Sequence, residues 1–72
     1  MANQIKELDV VALMRPIAEA SLQTGQVGTV VESLGEGAFE VEFSDDEGRV
    51  YAMLAVSRDD LMVLHYGRDQ AA

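Results

Sequence analysis

The stretch AFEVEFS, Ala38–Ser44, decides how the chain is read. Phe39, Val41 and Phe43 alternate with Glu40 and Glu42. A period of two is the signature of a strand with one face in a core and the other in water. Just before it, GEG at Gly35–Gly37 suits a tight turn, because glycine reaches positive φ without a steric cost. Upstream of that turn, VGTVVESL at Val27–Leu34 reads as a second strand. Gly28 within it marks a bulge or a close approach of another backbone.

The same reading extends outward. DDEG, Asp45–Gly48, is the next turn, and RVYAMLAV, Arg49–Val56, is a strand apolar on both faces. Ala52, Leu54 and Val56 are assigned inward, with Tyr51, Met53 and Ala55 outward. SRDD, Ser57–Asp60, is a one-turn connector; Ser57 suits an N-cap, and Asp60 three residues on suggests a capping box. LMVLHY, Leu61–Tyr66, reads as the closing strand. Towards the N-terminus, LDVVALM, Leu8–Met14, is a strand stopped by Arg15-Pro16, since proline cannot continue a ladder. Between it and Gly25 lies a long loop, too short and polar for an independent helix, with Leu22 and Ile17 tucked inward.

The expected fold is therefore all-β: a small five-stranded SH3-like barrel with a long first loop and a one-turn helix before the last strand. Residues 1–7 are expected to be a flexible arm, 8–66 the single domain and 67–72 a flexible tail. A flat sheet of this size exposes long edges, and curling hides them. The alternative is an open five-stranded sheet that dimerises through one face.

These residues carry a resemblance. LDVVALMRPI, the GQVGTVVE run from Gly25 to Glu32 and FEVEF from Phe39 to Phe43 resemble a bacterial family of short stand-alone domains of unknown function, common in cyanobacteria. The likeness runs from Leu8 to Leu64. It implies an SH3-like barrel but no catalytic residues, and by the size and gene company of some members it implies one half of a toxin and antitoxin or immunity pair. The Gly25-x-x-Gly28-x-Val30 portion is similar, more distantly, to the entry of other SH3-like barrels. These include ribosome-associated domains and the small β-subunit type of nitrile hydratase, a likeness that implies docking on RNA or protein.

Charge narrows the partners. Thirteen acidic residues against five basic ones leave a net charge of −8 over 72 residues. Binding to phosphate backbones works through basic side chains that displace counterions, so nucleic acid and anionic membrane are both disfavoured. A basic protein, a cation or plain solubility remains. The chain has no cysteine, which removes disulfides and thiolate metal sites. MANQIKELDVV has neither a signal-peptide nor a membrane-spanning pattern, and the expected location is cytoplasmic.

Chemistry-bearing constellations are sparse. The single histidine, His65, reads as structural or exposed, and Ser57 with Asp60 has local spacing only, whereas a triad converges in space. No phosphate-loop, dinucleotide or zincin motif occurs. An enzyme is therefore not expected, and no cofactor is assigned. Asp45, Asp46 and Glu47 are weak candidates for a hard cation, but they lack the alternating spacing and distant bidentate Glu of a calcium loop; a solvated acidic turn is the simpler reading. The first loop holds no aromatic residue, which argues against a groove for proline-rich peptides.

What remains is the outer surface. Glu32, Glu40 and Glu42 are expected to form an acidic stripe across neighbouring strands, beside an apolar patch of Tyr51, Met53 and Met62. The expected function is a non-catalytic acidic protein-interaction module with a basic protein partner. The alternatives are an assembly subunit that self-associates or docks on a larger enzyme, and a weak cation-binding protein.

Overall fold

A computed structural model of the chain describes residues 4–67. It contains five strands: β1 (Val10–Leu13), β2 (Val27–Gly35), β3 (Ala38–Ser44), β4 (Val50–Ser57) and β5 (Leu61–Val63). They form one antiparallel sheet in the order β4-β3-β2-β1-β5. The three central hairpin strands are thus consecutive in the chain, and β1 sits between β2 and the last strand. This is the five-stranded SH3-like arrangement that the sequence predicts. The curl is not closed by hydrogen bonds: among the described residues no ladder joins β4 to β5.

The core is built from the inward rows. Val11, Leu13, Leu22, Val30, Phe39, Val41, Phe43, Val56 and Leu61 are buried, with Ala52, Leu54 and Val63 packed against them. No buried polar or charged side chain lies among the described residues, so this interior is held by apolar burial and packing. The sequence-predicted inward set of β3 and β4 matches, and Tyr51, Met53 and Ala55 are exposed as predicted.

Gly28 takes the second of its two expected roles. A Cβ there would lie 2.7 Å from Val41 Cγ1 and 2.9 Å from both Glu42 O and Phe43 Cδ2. The missing side chain lets β2 press against β3 over the core. The turn after β2 also needs special backbone. Glu36 and Gly37 have φ of 55° and 80°, as a two-residue hairpin turn with both central residues left-handed requires.

The ends of the chain depart from the predicted boundaries. Leu8 does not begin a strand: it is exposed, with φ 75°. Asp9 explains this, because its N–H reaches Lys6 O (3.1 Å) while its carboxylate accepts from Lys6 N (2.9 Å), which bends the chain before β1. Ile5, placed by the sequence in the N-terminal arm, packs against the core. The last strand ends at Val63 rather than Tyr66; one further bond, Leu64 N to Val10 O at 2.9 Å, follows, and His65 and Tyr66 are exposed. Of the predicted flexible segments, residues 1–3 and 68–72 lie outside the described residues.

The first loop is pinned as the sequence predicts. Ile17 and Leu22 exchange backbone bonds of 2.9 and 3.1 Å, and Leu22 is buried in the core. Between them runs a single 3-10 turn, Ala18–Ala20. A second 3-10 turn, Arg58–Asp60, joins β4 to β5, and Ser57 Oγ caps it by accepting from Asp59 N at 3.2 Å. The reciprocal half of a capping box is not made. Asp60 turns its carboxylate instead to Arg15, 2.7 Å from Nε, and so ties the connector to the first loop.

Candidate protein-binding face

The outer face of β2, β3 and β4 gathers the residues singled out from the sequence. β3 and β4 are in simple register here, with Glu40 opposite Ala55 and Glu42 opposite Met53. On the other side of β3, Glu42 faces Thr29 and Glu40 faces Glu32. Two rows result: Thr29–Glu42–Met53 and Glu32–Glu40–Ala55. Opposed residues on an antiparallel pair have Cβ atoms only about 4.5–5.5 Å apart, so Glu32 and Glu40 are held as close neighbours of like charge.

Glu32 reaches this face only through a bulge. Strict alternation from buried Val30 would turn Glu32 inward. The register shifts between Val30 and Glu32, leaving Val31 as the extra residue, and the shift returns Glu32 to the outer side. A further irregularity, between Phe43↔Ala52 and Ser44↔Val50, makes Tyr51 the extra residue at the start of β4. Tyr51 and Met53 are each about half exposed, at 49% and 50%. Met62 is equally exposed but lies on β5, the other edge strand, and is not part of these rows.

Tyr51 has a partner that sequence reasoning missed. Its hydroxyl accepts from Gln26 Nε2 at 2.8 Å, and Gln26 Oε1 accepts from Gln23 N at 2.6 Å. This chain ties the end of the first loop to β4. No local signal marks it, since the two residues are 25 apart in sequence.

The glutamate row has no cation of its own among the described residues. Lys6 pairs with Asp9, Arg15 with Asp60, and Arg49 with Asp45 and Glu47, while Arg58, in the 3-10 turn after β4, makes no ion pair with Glu32, Glu40 or Glu42 among the described residues. The row therefore presents uncompensated negative charge beside half-exposed apolar side chains.

The acidic turn is built differently. Asp45 Oδ1 accepts from Glu47 N and Arg49 N, both at 2.9 Å, while Arg49 reaches Asp45 Oδ2 at 3.4 Å and Glu47 Oε1 at 2.8 Å. Two of the three candidate ligands are thus spent on shaping the turn. Asp59 and Asp60 stand at the opposite end of the eight-residue β4, about 25 Å of extended strand away. Among the described residues no group of three or more His, Cys, Asp or Glu is placed to hold a metal ion. His65, Ser57 and Asp60 are likewise not brought together by any observed hydrogen bond or ion pair.

The family described as Domain of unknown function (DUF4926) matches residues 7–63. The chain belongs to this family. The DUF4926 match spans all five strands and both 3-10 turns, so the whole sheet and its outer face lie within the family's domain. No curated protein and no solved structure matches the chain. Among the described residues no helix is long and apolar enough to cross a membrane.

Proposed function

We propose that this DUF4926 domain is a non-catalytic protein-interaction module whose outer β2–β3–β4 face docks a basic protein partner. The observation that carries the reading is the register pair Glu32↔Glu40, continued by Glu42 and flanked by Tyr51 and Met53. Like charges held opposite each other across a ladder cost stability, and a bulge is used to keep them there. A basic partner would relieve that repulsion. The charge would speed encounter and reject acidic competitors, while Met53 and Tyr51 would supply the apolar contact that interfaces favour. On this reading the protein is the acidic, cytoplasmic half of a bacterial two-protein system of antitoxin or immunity type, and its face covers the basic surface of the other half.

Co-expression with the product of the adjacent gene, followed by size-exclusion chromatography at low salt, tests the pairing. A complex that weakens as salt rises is expected, and two separate peaks at low salt would end the proposal. With the partner in hand, Glu40→Lys and Glu42→Lys should slow association more than they speed dissociation; an unchanged on-rate would remove the role of the stripe.

An assembly subunit is the second reading, favoured by half-exposed Val50, Tyr51 and Met53 on an edge strand. Light scattering on the isolated protein separates the two, since only self-assembly gives a stable oligomer without a partner.

A further inference from the structure

The sheet has two edges, and they are not alike. β5 is three residues long and follows directly on Asp59 and Asp60, with the latter pinned by Arg15. Such a short edge next to charges is a poor template for another strand. β4 has eight residues, VYAMLAVS, with no charged side chain and no proline. Its only strand partner is β3. Among the described residues, no loop or turn bonds to the backbone of Val50–Ser57. Alternate residues of a strand send their N–H and C=O groups to opposite sides, so the outer side of β4 offers a row of unused donors and acceptors.

Beside this edge the side chains specify what would fit. Ala55 is the outward residue between Glu40 and the free edge, and it is too short to cover that glutamate. Strands lie about 4.8 Å apart, so a residue added opposite Ala55 would stand two strand spacings, roughly 10 Å, from Glu40. A lysine or arginine spans that gap together with the glutamate side chain; a short or acidic residue does not. Two positions along, a partner residue opposite Met53 would meet a half-exposed thioether, which packs against apolar side chains.

We propose that an extended segment of a basic protein adds to β4 as a sixth strand, with a lysine or arginine opposite Ala55 reaching over it to Glu40 and an apolar residue against Met53. The main-chain bonds would give affinity and the outward side chains specificity, as in strand addition generally. This deepens the function proposed above, and rests on it for the partner's charge.

The test uses the full chain, labelled with 15N, and synthetic peptides as probes: Thr-Lys-Thr-Val-Thr-Lys-Thr amide, whose one face carries Lys, Val and Lys at alternate positions, the same peptide with Glu for Lys, and the Lys peptide with its backbone nitrogens methylated on both edges. The methylated form cannot form the ladder but keeps every charge. The expected result is saturable binding of the Lys peptide at low salt, amide shifts in Val50–Ser57 with slowed hydrogen exchange there, and a loss of about tenfold or more on methylation. Ala55→Lys, which would satisfy Glu40 from within β4, should abolish the preference for the Lys peptide while the protein's melting stays intact. If methylation changes nothing and shifts fall on the Glu32, Glu40 and Glu42 face, docking on the face stands and strand addition is overturned. If the Glu peptide binds β4 as well as the Lys peptide, strand addition stands and the basic partner is overturned. Binding by neither peptide overturns both. Concentration-dependent protection of β4 in the free protein would show a second copy on the edge and overturn the proposal in favour of self-assembly.

Discussion

The two faces of β3 divide the molecule's work. Phe39, Val41 and Phe43 are buried, at 8%, 0% and 0% exposure, and touch the inward rows of both neighbours. Glu40 and Glu42, interleaved with them, stand on the outer side against Glu32, Thr29, Met53 and Ala55. One face gains free energy from burial, and the other gives some back through repulsion between like charges. Stability and recognition are thus carried by alternate residues of a single seven-residue strand, and changes on the two sides should be separable.

The largest separation is expected at Phe43. Phe43→Ala should cost about 3–5 kcal/mol, the transfer of the ring plus the cavity it leaves; chemical denaturation of wild type and variant measures this, and a loss under 1 kcal/mol would mean the inner row does not organise the core. Next comes the close approach that lets β2 sit on this row. Gly28→Ala forces a methyl against Val41, Glu42 and Phe43 and should destabilise by about 1–3 kcal/mol. A thermal melt of that variant above wild type would contradict the packing described.

Smaller effects, of the opposite sign, are expected on the outer side. Glu40→Lys replaces a like-charge pair with Glu32 by an attractive one and should raise stability by about 0.2–1 kcal/mol at low salt, the gain shrinking as salt is added. Denaturation curves at two ionic strengths read this directly, and a salt-independent change would show that Glu32 and Glu40 do not interact. The same variant should bind a basic partner less well, so that stability and binding move apart. Smallest of all is Met53→Thr, a half-exposed outer site, which should leave stability within about 0.5 kcal/mol. A greater loss would assign Met53 to the core and weaken its role as contact surface.

How much of this was legible in the sequence varies along the chain. Ala38–Ser44 is read correctly to the residue because its alternation is strict and both neighbours are reached by short turns. Val27, Val50 and Leu61 are close to predicted strand starts for the same reason. Of the misread boundaries, one is set by a local turn and the other by where a partner strand ends. Leu8 looks like a strand residue by type, but the Lys6–Asp9 turn sets its backbone; His65 and Tyr66 are apolar enough to extend β5, but β1 offers no strand beyond Val10 for them to pair with. The glutamate stripe was legible as an arrangement across neighbouring strands but not in its register: nothing in VVESL reveals that Val31 is the extra residue that turns Glu32 outward. The link from Gln26 to Tyr51 was not legible at all.

The sequence by itself determined the all-β class, the central hairpins, the apolar set of β3 and β4 and the acidic character of the surface. All of these follow from local periodicity, turn residues and charge. Only the tertiary structure decided which strands became edges, where the ladders slip by a residue, and that Glu32 stands opposite Glu40 beside an unpaired β4. Those depend on register between segments distant in the chain, and register is set by how the whole inner face packs, a quantity that no single stretch of residues contains.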